Sequence, residues 1–122
     1  MTSAIKGILI IVGNGFALWL ANLYVPGFVL STDLKQVIVL ALILALLNGI
    51  LKPVLDALFG PIIVLTLGLG VLIVNGILIW LLPIIASKID FLHGSISIQT
   101  IPALIFTTII VTVVNVVIHV LV

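Results

Sequence analysis

Residues 53–86 read PVLDALFGPIIVLTLGLGVLIVNGILIWLLPIIA, and the number of membrane spans depends on how this run is divided. Asp56 is its one charged residue. A single helix of that length would be on the order of 50 Å at 1.5 Å per residue, against a hydrocarbon core of ~30 Å. Two full spans need about 40 residues, more than the run contains. Gly60-Pro61 offers one break, and Gly68 and Gly70 offer another. The reading adopted is a short broken element over 53–66, re-entrant or flat at the interface, then a span over about 67–87. A re-entrant segment is allowed only where protein covers its open backbone groups. That requirement favours oligomerisation or an interfacial placement.

Outward from this run, three further spans follow from apolar length and end signals. The first covers about 5–25 and is closed by Pro26-Gly27. The second covers about 34–52 and is opened by the capping cluster Ser31-Thr32-Asp33. The last covers about 101–122, with Pro102 near its first turn. The expected fold is an all-α integral membrane protein, one transmembrane domain over 1–122. Composition agrees. Of 122 residues, 65% are hydrophobic and 6% charged, where a soluble domain carries about 25% charged residues. The bilayer is therefore the first partner. The first apolar run is too long for a signal-peptide core and lacks a small-x-small cleavage site, so it reads as a retained helix. A net charge of +1 with no basic cluster argues against a nucleic-acid partner. The absence of cysteine excludes disulfides and thiolate metal sites.

Topology is weakly specified. Lys6, the amino terminus and Lys52 fall on one side, and Lys35 and Lys88 on the other. The positive-inside rule counts Lys and Arg, so the terminal amine alone tips both termini toward the cytoplasm. Near balance also permits dual insertion.

The stretch NGFALWL at 14–20 returns as NGILIWL at 75–81, 61 residues later. Asn48 and Asn115 lie in the second and fourth spans. A duplicated helical hairpin accounts for this pattern; chance matching in an apolar alphabet is the bland alternative. Two spans per copy would make the repeat parallel, about an axis along the membrane normal. Asn14, Asn75 and Asn115 fall roughly 10–14 Å from one end of their helices, and Asn48 lies closer to that edge. An amide in hydrocarbon is costly unless bonded, so the Asn residues read as interhelical glue or, alternatively, as a polar lining. Small residues recur every four positions, at Gly13, Ala17 and Ala21 and at Ala41, Ala45 and Gly49. Such ridges permit close backbone approach. They predict that helix 1 packs on helix 2, or that protomers pack on each other. Trp19, Tyr24 and Trp80 read as interface anchors.

Thr108, Thr112, Asn115 and His119 are spaced 4, 3 and 4 and share one helix face. That face could line a wet path; alternatively the Thr hydroxyls bond back to their own helix. Lys52 and Asp56 flank Pro53 and read as interface residues. Asp90 and His93 are too few for a metal site, and with the alternating SISIQT tail they read as a solvated loop. No nucleophile–base grouping and no glycine loop leading to a phosphate site is present. Neither enzyme activity nor a cofactor is expected.

Residues 46–78, LLNGILKPVLDALFGPIIVLTLGLGVLIVNGIL, resemble phage holin superfamily IV, also called the YvlD-like family. The resembling positions are Asn48, Lys52-Pro53, Pro61, Thr66-Leu67-Gly68 and Asn75. NGFALWLANLYVPGF is similar to the family's first helix and its Pro-Gly turn. The departures are Gly60 before Pro61 and a longer loop over 87–100. The resemblance implies a bacterial or phage inner-membrane protein of about four spans. The holin label implies a hole-forming oligomer that passes a lysin or dissipates the membrane potential. The expectation is a holin-like homo-oligomer affecting membrane permeability or integrity, with an envelope protein or lysin as possible partner. The alternatives are a non-conducting envelope-stress scaffold and a small channel or carrier using the Asn layer.

Overall fold

Pro26 cannot continue a helix, and Gly27 takes φ +89, so the first helix ends at Tyr24 and the chain turns into a strand. The computed structural model describes residues 3–66 and 68–121. Leu67 of the resemblance motif and Val122 of the last expected span lie outside the described residues. The order of elements is α1 Ser3–Tyr24, β1 Phe28–Leu30, α2 Leu34–Leu65, α3 Val71–Ser87, a 3₁₀ turn Asp90–Leu92, β2 Ile96–Ile98 and α4 Ile101–Leu121. Asp33 caps α2 as expected, its side chain accepting from the Lys35 amide at 2.9 Å.

Each helix packs against its neighbours in sequence, and α1 closes the ring on α4. The core between them holds Ala17, Leu18 and Ala21 of α1, Leu40 and Leu44 of α2, Ile79 and Leu82 of α3, and Val111 of α4. The small residues direct this packing differently from expectation. A Cβ on Gly13 would run into Ile118, so this glycine admits α4, not α2. Gly15 is the glycine that meets α2, 3.6 Å from the Ala41 Cβ. Ala17 and Ala21 are buried, Ala41 is buried, Ala45 is half-buried, and Gly49 is exposed with nothing near it. The α2 ridge is therefore used inside the protomer at one end only.

One end of the bundle is closed by a two-stranded antiparallel sheet, where the sequence predicts loop. Phe28 pairs with Ile98, Val29 with Ser97 and Leu30 with Ile96. Phe28, Leu30 and Ile96 face the core while Val29 faces out, the period of two that a half-buried strand requires. Side chains fasten this cap. Asn22 Oδ1 accepts from the Leu30 amide at 3.1 Å, and Gln36 Nε2 donates to the Phe91 carbonyl at 2.9 Å. The Ser31 amide donates to Ser95 O at 2.7 Å.

The break expected at 53–66 is absent. The helix begun at Leu34 runs through Pro53 and Pro61 to Leu65, 32 residues in all. Each proline removes one backbone bond, a cost helices in an apolar setting tolerate. No residue of 53–65 is fully buried in the bundle, although Asp56 Oδ1 is buried without a partner. Of the two breaks the sequence offers, the one at Gly68 and Gly70 is present and the one at Gly60-Pro61 is not. The Gly68 amide, at φ +92, donates to Ile63 O at 2.8 Å, and Thr66 Oγ1 donates to Ile62 O at 2.8 Å. Thr66 Oγ1 also accepts from the Gly70 amide at 2.7 Å. A Cβ on Gly70 would stand 2.9 Å from the Ile63 Cα. Thus Thr66, Gly68 and Gly70 build one tight reversal, and α3 starts at Val71, not 67.

Candidate functional site

The polar residues singled out along the helices gather toward the end of the bundle away from the strands. Asn14 is 0% exposed, Asn75 3% and Asn115 9%; Asn48 is half-buried. Their shared depth does not bring amide to amide: among the described residues no Asn bonds another. Asn75 Nδ2 donates instead to Thr112 Oγ1 at 2.8 Å, joining α3 to α4. Asn75 Oδ1 and both polar atoms of Asn14 are buried without a partner. Thr107 Oγ1 is likewise buried and unpartnered, and the sequence reading did not single it out. Its neighbour Thr108 gave the visible spacing, and helical period alone does not separate adjacent residues.

The α4 stripe combines both of its readings. Thr108 Oγ1 donates to Leu104 O and Thr112 Oγ1 to Thr108 O, each at 2.7 Å, so the hydroxyls do bond back to their own helix. His119 Nδ1 lies 2.8 Å from Asn115 O. Yet Thr112, Asn115 and His119 also line a cavity of ≈ 360 Å³ with Lys52, Val71, Asn75, Val116 and Val120. Three helices thus bring Lys52, Asn75, Thr112, Asn115 and His119 to one place. Thr108 lies further in, against Gly76. Pro53 and Pro61 are exposed on the α2 extension, and Thr66 and Gly68 belong to the turn. Trp19, Tyr24 and Trp80 are exposed on the bundle surface. Among the described residues no cluster of His, Asp or Glu could hold a metal ion.

The chain matches the family described as "Mycobacterial 4 TMS phage holin, superfamily IV" over residues 5–117. It belongs to that family. The family's description counts four membrane segments. Here α1, α2 and α4 are long and apolar enough to cross a membrane. The 17-residue α3 lies at the short limit for a span. The protein is a holin-like membrane protein with several apolar helices. An uncharacterized protein of Streptomyces coelicolor is 35% identical over 75 residues, 61% of this chain and 60% of the relative's own length. No solved structure matches.

Proposed function

We propose that the protein is a self-associating, holin-like component of a bacterial inner membrane, with both termini cytoplasmic, whose homo-oligomer alters permeability or integrity. The observation that carries this reading is the outward side of α2. Gly49 is exposed, a Cβ there would meet nothing within 4 Å, and the neighbouring Asn48 side chain has no hydrogen-bond partner among the described residues. An amide beside a bare glycine on a lipid-facing helix suits close packing against a second copy. Any hole would then form between protomers, because Asn14 and Asn75 are packed inside each bundle. That burial weighs against a channel through a single protomer along the Asn layer. An envelope protein or a lysin is the corresponding partner class.

Duplication of one α–β–α hairpin is part of this reading. Asn48 is fourteen residues beyond Leu34, and Asn115 fourteen beyond Ile101, the first residues of α2 and α4. Gly15 meets Ala41, while Gly76, 61 residues on, meets Thr108. Trp19, Leu34 and Val37 line a groove between α1 and α2; Trp80, Ile101 and Leu104 line its counterpart between α3 and α4. The antiparallel strand pair, one strand from each hairpin, suits a twofold relation along the membrane normal. The 32 residues of α2 measure about 48 Å, more than the ~30 Å core. We therefore place residues 53–65 along the interface, which requires the helix to bend near Pro53 in the membrane.

Release of a graded dye series from liposomes tests the functional reading. Passage of large dyes supports a holin-type hole. Passage of ions alone supports a narrower channel. No release from folded protein at any density moves the reading to a sealed scaffold.

A further inference from the structure

The cavity between α2, α3 and α4 has the chemistry of a ligand site. Lys52, a half-buried residue, lines it with no ion pair or hydrogen bond among the described residues. Asp56, one turn further along α2, does not pair with it. An unpaired ammonium at an accessible cavity is open to an anion. Asn115 adds a second unpartnered polar group. Its side chain is nine-tenths buried, lines the same cavity, and makes no hydrogen bond; only its backbone carbonyl is used, by His119. Asn75, Thr112 and His119 add polar groups to the lining, and Val71, Val116 and Val120 are its apolar part. Val116 and Val120 continue from the cavity onto the exposed face of α4.

We propose that this cavity holds one phospholipid by its phosphate group, in the leaflet at the bundle end opposite the strands. Lys52 Nζ pairs with the phosphate and Asn115 Nδ2 donates to one of its oxygens. An acyl chain lies along Val116 and Val120. The single ammonium selects an anion. The valine rim opening onto the lipid-facing surface selects a lipid over a free ion. This differs from a lysine that merely reaches the headgroup layer, because it sets a stoichiometry of one. It does not depend on whether copies assemble.

The test uses the full chain, delipidated in detergent and titrated with phosphatidylglycerol, with native mass spectrometry counting bound lipid. Diacylglycerol of the same chain length and inorganic phosphate serve as separate probes. The expected result is one retained phosphatidylglycerol and no retained diacylglycerol. Lys52→Gln should weaken retention about tenfold or more, and Asn115→Leu by a smaller factor. Lys52→Arg should retain the lipid, and Lys35→Gln, at the strand end, should bind as the parent does. Circular dichroism confirms that each variant is folded. Equal retention by Lys52→Gln and the parent would overturn the proposal. So would equal retention of diacylglycerol, or full displacement of the lipid by millimolar inorganic phosphate.

Discussion

Asn14 and Asn75 occupy the same place in the two NGxxxWL segments, yet they have different surroundings. Asn75 donates to Thr112 of α4. The position in α2 that corresponds to Thr112 is Ala45, eleven residues beyond Leu34 as Thr112 is eleven beyond Ile101. Alanine has no hydroxyl, and both polar atoms of Asn14 are left without a partner. The second pair diverges as well. Asn115 faces a cavity inside the bundle, while Asn48 lies at the surface beside exposed Gly49. In the second hairpin the Asn75 side chain is bonded within the protomer and that of Asn115 is not, while in the first neither the Asn14 nor the Asn48 side chain is bonded among the described residues. On the proposed reading, the unbonded amide at the surface serves assembly.

The largest expected effect breaks this contrast at Asn14. Asn14→Leu should stabilise the protein by about 1–3 kcal/mol, because it removes a buried amide that bonds nothing. Reversible unfolding in mixed micelles would measure it, and a loss of stability would mean that Asn14 has a partner in the bilayer. Ala45→Thr sharpens the contrast by supplying the missing hydroxyl. A gain of about 0.6–1.7 kcal/mol is expected, and it should vanish when Asn14 is already Leu. Asn75→Leu runs the other way, losing the α3–α4 bond at a cost of about 0.6–1.7 kcal/mol in the same assay. Smallest is the glycine pair. Gly15→Ala and Gly76→Ala would place a Cβ 3.6 Å and 3.7 Å from the nearest neighbour, ordinary contact distances. Both should shift stability by less than about 1 kcal/mol, toward stabilisation through helix propensity.

Much of the helical plan was legible because its signals are local. Pro26-Gly27 stops α1, and Asp33 starts α2. The Thr and Asn spacing on α4 brought Thr112, Asn115 and His119 to one face, and the structure joins them to Lys52 in one cavity. The break at Gly68 and Gly70 was legible, and the absence of one at Gly60-Pro61 was not, because proline in an apolar helix costs a bond without ending the helix. What the sequence did not show is the part of Thr66, whose hydroxyl, with a close backbone approach at Gly70, closes the reversal. The strand pair was written in the alternation of Ile96, Ser97 and Ile98, but three residues are too few to declare a strand without their partner. The role of Gly13 was hidden for a related reason. A small-residue ridge shows that something approaches, and only the assembled ring shows that it is Ile118.

Self-association through the free side of α2 is the central claim, and Gly49→Leu probes it with little disturbance, since nothing within the protomer touches that position. The decisive measurement is the oligomer number in lipid nanodiscs, by native mass spectrometry, for the parent, Gly49→Leu and Asn48→Leu. The account predicts an oligomeric parent and variants shifted to monomer that keep the parent's helical content. A monomeric parent, or folded variants with the parent's oligomer number, would contradict it.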